Sequence, residues 1–282
     1  MATAPRLAPG ATLVTVPGRG LALRTPDGDF LHVDTAATDP QALTTALTTG
    51  VADPAPDPEL DRLITAFERA GYARPSDTEA VGRLAGRTVL LLGDPQLLAP
   101  LDRFVRAEGG QPRSAAPTEL AALGRGPRRP RTAVVWCLDT PVPPGLWEEA
   151  DQLPARGTAW LRCHREGAQV WLEPLADRPG DVTSAHVRRR RLAATPAHRE
   201  LDAYWQGLRT PETESLSTAT SAALIASLLT ADLIVWAAGD PGSDALPLRR
   251  RLRRLDLRDL TVTQHPVLPV PDVAPLPART GP

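Results

Sequence analysis

The chain has 282 residues, of which 42% are hydrophobic and 23% charged, and its net charge is −1. That length accommodates two domains, and the charge balance excludes a molecule that binds nucleic acid through its overall field. All 32 basic residues are arginine, so a phosphate-cradling P-loop lysine, a Schiff-base lysine and a kinase-type lysine are excluded too.

In chain order, residues 1–12 read as loose. Residues 13–16, 21–24 and Phe30–Val33 read as three short strands separated by Pro17-Gly18-Arg19-Gly20 and Thr25-Pro26-Asp27-Gly28, which carry turn chemistry. Pro40–Thr49 reads as a short helix with Leu43 and Leu47 at i, i+4. Residues 58–71 form a stronger one, with Leu60, Leu63, Ile64 and Phe67 on one stripe and Gly71 at its end. A polar connector over 72–84 then leads to Thr88–Gly93, TVLLLG, a continuous apolar run of the kind found in buried parallel strands. A helix over 97–107, stopped by Gly109-Gly110, makes this the start of a doubly wound α/β unit. Two domains are expected, 1–85 and 86–282.

Residues 117–131 contain GRGPRRPR and read as an exposed basic loop; Thr132–Leu138, TAVVWCL, reads as a second buried strand. Residues 141–147 begin a turn into a helix through 150. Residues 161–163 and 170–175 read as a hairpin, with Arg165-Glu166-Gly167-Ala168 as its tight turn. Pro179-Gly180 breaks the chain, and Asp181 with Thr183 can cap a helix running into four arginines, 188–191, which read as a solvated face. A helix over 197–208 puts Leu201, Tyr204, Trp205 and Leu208 on one side, as core or interface. Residues 217–238 are a long apolar helix interrupted by Ser227, Thr230 and Asp232. That predicts a buried helix and not a membrane span, and its many alanines suit a central or homodimer-facing position. Residues 247–259 are strongly basic, 260–262 read as a last strand, and the Pro-rich tail after His265 reads as extended.

Catalytic motifs are missing. Cys137 and Cys163 lie in apolar runs and read as buried thiols, and two cysteines cannot build a four-thiolate zinc site. His32, His164, His186, His198 and His265 are scattered, without H-E-x-x-H, G-x-S-x-G or Cys-x-x-Cys. His164 and Cys163 are neighbours on a strand and point to opposite faces, which argues against a dyad. Neither a catalytic set nor a metal or cofactor site is expected, and without a visible signal peptide the expected location is the cytoplasm.

The stretch HREGAQVWLEPL, followed by Pro179-Gly180 and an Arg-rich helix, resembles the E1-like (ThiF-like) proteins of azole-forming peptide pathways. Those families often carry a Cys-x-x-Cys pair after Pro-Gly and another after a His-Pro; the corresponding places here hold Ser184 with Val187 and Leu268 with Pro271. Their nucleotide turn is G-x-G-x-x-G, whereas this one reads Gly93-Asp94-Pro95-Gln96-Leu97-Leu98. The acid and the proline disfavour phosphate. The first 85 residues resemble, in element order and length, the winged-helix-like (PqqD-like) peptide-recognition module of the same pathways. The resemblance implies a degenerate E1-like, Rossmann-type domain behind that module. It also implies a non-catalytic scaffold that binds the leader of a ribosomally made precursor peptide and delivers it to a YcaO-type cyclodehydratase. The expected peptide site is Phe30, Leu31, His32 and Val33 beside Leu60, Leu63, Ile64 and Phe67, an open strand edge next to an apolar groove. An atypical adenylating enzyme is the alternative. A winged-helix DNA-binding regulator is disfavoured, because residues 1–85 hold seven arginines against eleven acids.

Overall fold

A computed structural model describes residues 5–36, 38–50, 57–75, 82–126, 129, 131–211, 214–239 and 246–271. These fall into two compact units, 1–81 and 82–282, and each is described by itself. The expected tail beyond residue 271, and Pro127, Arg128 and Pro130 of the GRGPRRPR stretch, lie outside the described residues.

In the first unit β1 (Arg6–Leu7) is followed by β2 (Thr12–Val16), β3 (Gly20–Arg24) and β4 (Phe30–Val33). Then come α1 (Pro40–Thr49), α2 (Pro58–Arg69) and β5 (Ala73–Arg74). β2, β3 and β4 form an antiparallel sheet with β4 at an edge. Both helices start on an aspartate cap with proline at the first helical turn: Asp39 accepts from Gln41 N, and Asp57 from Glu59 N and Leu60 N. Gly71 ends α2 with a positive φ of 77°, while Tyr72 N donates to Phe67 O. Leu21 and Leu23 of β3 pack against Leu43 and Leu47 of α1 and Leu60, Ile64 and Phe67 of α2. The first residues are not loose throughout. β1 pairs with β5, and Arg6 donates to Thr49 O, so the chain's start is stitched to the segment after α2.

The second unit runs β6 (Thr88–Gly93), α3 (Pro95–Ala107), β7 (Gln111–Ser114), α4 (Pro117–Arg125) and β8 (Thr132–Leu138). A 3-10 helix (Ala150–Arg156), β9 (Ala159–Glu166), β10 (Gln169–Leu172), α5 (Ser184–Ala193) and α6 (His198–Trp205) follow. α7 (Ala219–Ala237), β11 (Arg251–Asp256) and β12 (Val262–Pro266) complete it. The sheet order is β12-β11-β10-β9-β8-β6-β7. β7, β6, β8 and β9 are parallel, and β9 to β12 antiparallel. Alternate residues of β6 and β8 face opposite layers. Val89, Leu91, Val135 and Cys137 meet α3 and α7, whereas Leu90, Leu92, Val134 and Trp136 meet α4 and the 3-10 segment. This is a mixed α/β sheet whose parallel half reverses strand order between β6 and β8, the position where such sheets place their ligand crevice.

Several expectations change. Residues 117–125 are a helix and not a loop: Leu120 and Leu123 are buried, and Glu119 accepts from Ala116 N. The 141–150 helix is replaced by turns and the 3-10 segment starting at Ala150. Arg165 and Glu166 belong to β9, so the hairpin turn is Gly167-Ala168 alone. The strongly basic stretch after 247 is mostly consumed by ion pairs: Arg249 meets Asp177, and Arg251 and Arg253 meet Asp232 of α7. α7 is long and apolar enough by composition to cross a membrane, but half of it is buried against the sheet and α3, and its one acid is paired inward.

Gly93 closes β6 with a φ of +113°, and a Cβ there would collide with the carbonyl oxygen of Cys137. Gly93→Ala is therefore expected to lower unfolding free energy by roughly 3 kcal/mol or more, read from denaturant melts. A variant as stable as the parent would contradict this packing.

Candidate functional site

In the first unit the functional candidate is the outer edge of β4, which pairs with no strand among the described residues. Directly opposed residues of an antiparallel pair share a face. Leu31 sits opposite Leu23 and Val33 opposite Leu21, so these two lie on the core-facing side; Phe30 and His32 lie on the other. Phe30 is 63% and Leu31 44% exposed, and His32 is exposed with Nε2 at 3.2 Å from Arg19 O. The expected groove residues divide. Leu63 and Val33 are half-buried, while Leu60, Ile64 and Phe67 are closed into the core. The apolar side chains that remain accessible at this edge are Phe30 and Leu31.

In the second unit a polar constellation absent from the sequence reading gathers around β9. Arg162, His164 and Glu166 follow each other at two-residue spacing and share one face of the strand. Glu166 accepts from His164 Nε2 at 3.1 Å, from both Nη atoms of Arg191 at 2.9 and 2.6 Å, and from Trp205 Nε1 at 2.7 Å. Arg162 donates through Nε to Glu173 at 2.7 Å and through Nη2 to Val182 O at 2.9 Å. His164 Nδ1 stands 3.8 Å from Glu173 Oε1 and has no hydrogen-bond partner, nor has Trp147 Nε1. Trp147 packs edge-on against both His164 and Trp160.

The four-arginine run is thus not simply a solvated face. Arg191 reaches Glu166 and lies over Trp171 at 3.9 Å, Arg188 reaches Val142 O, and Arg190 reaches Leu268 O and Pro269 O. The positions that the family resemblance assigns to thiolates do not suit a metal. Val187 is buried with Val182, Leu252 and Val267, and Ser184 donates to Asp151. Among the described residues no group of three His, Cys, Asp or Glu side chains could hold a metal ion.

The third assembly stands at the reversal between β6 and β8. Asp139, just past β8, accepts from Gln96 Nε2 at 2.7 Å, Arg165 Nε at 2.8 Å, Ser215 Oγ at 2.7 Å and Ser217 Oγ. Asp94 stands at the N-cap position of α3, but its side chain makes no capping bond to the helix and accepts from Asp139 N at 2.6 Å instead. Two carboxylates therefore occupy the helix start where a nucleotide phosphate would otherwise be drawn. Neither Asp139 nor Arg165 stood out in the sequence as a pair, because 26 residues and a strand exchange separate them.

Burial by itself would raise the Glu166 carboxyl, but hydrogen bonds from His164 and Arg191 outweigh it and hold the group well below the usual carboxylate range. Asp139 is lowered in the same way: burial opposes, and Ser217, Ser215 and Arg165 prevail. Asp181 moves the other way, raised by burial. A depressed folded pKa contributes stability that is complete above the unfolded value and disappears as pH falls through the folded one. Unfolding free energy should therefore decline as pH drops below about 4.3, with Asp181 offsetting part of the loss. Glu166→Ala, which strands Arg191 and Trp205, should cost roughly 3–5 kcal/mol at neutral pH and flatten the acid slope in pH-dependent melts. An unchanged slope would remove Glu166 from this role.

No family model and no curated protein matches the chain. Solved structures do. The heterocyclase TruD superposes with a TM-score of 0.68 at 15% identity, covering 95% of this chain and 42% of that one. A heterocyclase in complex with substrate and cofactor gives 0.65 at 14%, covering 94% and 38%. The MccB of E. coli with ATP gives 0.58 at 9%, covering 95% and 97%. The chain thus spans about two fifths of the length of the two heterocyclases and nearly all of MccB. At these identities the likeness establishes a shared mixed α/β fold that runs through both compact units.

Proposed function

We propose that this chain is a non-catalytic, cytoplasmic partner in azole formation on ribosomally made peptides. In this reading the first unit is a winged-helix-like, PqqD-like module that binds the precursor's leader, and the second is a degenerate E1-like domain. A YcaO-type cyclodehydratase receives the presented substrate. The observation that carries the reading is the outer edge of β4, which pairs with no strand among the described residues, with Phe30 and Leu31 exposed on its opposite faces. An added peptide strand would gain main-chain hydrogen bonds from that edge and side-chain contacts with Leu31, Val33 and Leu63. Leu60, Ile64 and Phe67 would support it from behind.

The likeness to heterocyclase structures over nearly the whole chain agrees with this reading. The scarcity of lysine-type and thiolate chemistry agrees as well, and so does the paired acid arrangement of Asp94 and Asp139 at the start of α3. First-unit charge points away from nucleic acid: residues 1–81 hold six arginines against eleven acids.

Calorimetric titration of the full chain with a synthetic precursor leader should give a dissociation constant of about 1 μM or below, and a parallel titration with ATP should give no heat of binding. Leu31→Asp, at an exposed position, should weaken leader binding by about 100-fold and leave the melting temperature unchanged. Phe67→Asp is a poorer probe, since it would unfold the module's core. Leader affinity untouched by Leu31→Asp, or azoline formation by this chain alone with ATP, would overturn the proposal.

A further inference from the structure

The ladder between β3 and β4 sets which main-chain groups an added strand would meet. Thr25 N donates to Asp29 O at 2.8 Å, so residues 25 and 29 are a hydrogen-bonded pair. Such pairs alternate along an antiparallel ladder. Leu23 with Leu31 and Leu21 with Val33 are therefore hydrogen-bonded pairs too, and Leu31 and Val33 direct their main-chain groups to β3. Phe30 and His32 turn their N–H and C=O the other way, to the outer edge. A strand added there bonds to those two residues and runs past them alongside Asp29 and Asp34, which bracket β4 in the chain.

Negative charge stands at both ends of this edge. Asp27, Asp29 and Asp34 are exposed and make no ion pair among the described residues. The arginines of this sheet lie one strand further in: Arg24 is on β3 opposite Phe30, and Arg19 is in the β2–β3 turn, where its carbonyl meets His32 Nε2. β4 itself carries no arginine. On α2, Arg62 is engaged by Glu59, and Asp61 and Glu68 stand against Arg69. Over residues 1–81 six arginines face eleven acids, so a cationic chain is drawn to this unit before contact and an anionic one is repelled. Directly opposed residues of neighbouring strands interact, like charges unfavourably and opposite charges favourably. From residue 29 to residue 34 an extended strand rises roughly 17 Å. That exceeds the screening length of about 10 Å at 0.1 M salt, so each acid acts on its own opposite residue.

We infer that the segment captured at β4 is cationic at both of its ends, with one lysine or arginine opposite Asp29, another five positions along opposite Asp34, and apolar residues between them opposite Leu31 and Val33. The spacing is the same whichever way the peptide runs, because one acid stands beyond each end of the strand. This inference rests on peptide capture at β4 and adds the chemical class of the peptide. A segment with acids at those two positions is disfavoured by the same carboxylates.

The test uses the full chain and NMR titration with synthetic end-capped peptides of alternating threonine and leucine or valine. Two positions five apart carry lysine, glutamine or glutamate, and each peptide is made in both chain directions. The lysine probe should bind at about 1 mM or tighter in its better direction and shift the amides of Phe30 and His32, the two that face the outer edge. The glutamine probe should bind about 10-fold more weakly, about 3-fold for each lost pair, and the glutamate probe more weakly still. In 0.5 M NaCl the difference between lysine and glutamine probes should fall below about 3-fold. Asp29→Asn together with Asp34→Asn should abolish that difference at low salt; asparagine keeps the acceptor that Asp34 offers to Ala36 N, so the fold is retained. Equal affinity of lysine and glutamine probes, tighter binding of the glutamate probe, or a lysine preference undiminished by salt or by the double variant would overturn the charge assignment while leaving capture at β4 in place. No shift at Phe30 and His32 with any probe would overturn it too, and the leader titration decides separately whether β4 captures a peptide at all.

Discussion

The second unit is arranged around a carboxylate with four donors on it. Glu166 ends β9 with its side chain only 9% exposed, and an acid so covered persists only if it is fully hydrogen-bonded and its charge is matched. Arg191 matches the charge, and His164 and Trp205 fill the remaining lone pairs. That requirement fixes the direction of α5, because Arg191 must reach back to the strand, and it fixes α6, which delivers Trp205. The same arginine lies over the face of Trp171 on β10, so three elements are tied at one guanidinium.

One strand serves three environments. Leu161 and Cys163 of β9 enter the apolar layer under α3 and α7. Arg162, His164 and Glu166 enter the polar knot. Arg165 turns to Asp139 at the crevice, donating through Nε to its carboxylate and through Nη2 to its carbonyl. Cys137 and Cys163 are register partners on adjacent parallel strands, buried and free. A hydrogen bond with Cys137 and then burial raise the Cys163 thiol well above its ordinary range, which keeps it protonated and unreactive. Around α5, an apolar cluster of Val182, Val187, Leu252 and Val267 and the Arg190 contacts to Leu268 O and Pro269 O hold the last described segment. Apolar burial and a guanidinium clip need no cofactor for the segment to stay in place.

Much of the secondary structure was legible because its signals are local. TVLLLG and TAVVWCL are apolar runs that only a doubly covered strand explains, and both are central strands. Asp39-Pro40 and Asp57-Pro58 are cap-and-proline starts, and both helices begin there. The first unit's three strands and two helices follow from turn residues and i, i+4 leucines. Less visible was anything defined by partners far along the chain. β1 is two residues long and exists only through β5. α4 was obscured by the arginines and prolines that follow it, although its capping glutamate, Glu119, was there to be noticed.

The sequence by itself determined which residues repeat at helical or strand spacing, where caps and glycine turns stop them, and that lysine chemistry, metal motifs and a glycine-rich phosphate loop are missing. Those properties live within a few residues of backbone, where sterics and local hydrogen bonds act. The tertiary structure alone decided that polar residues at 162, 164, 166, 173 and 191 would meet in one knot, and that Leu60, Ile64 and Phe67 would close a core instead of lining a groove. A charge's partner, and the face on which a side chain is covered, depend on which elements fold back against it, and no spacing along the chain encodes that.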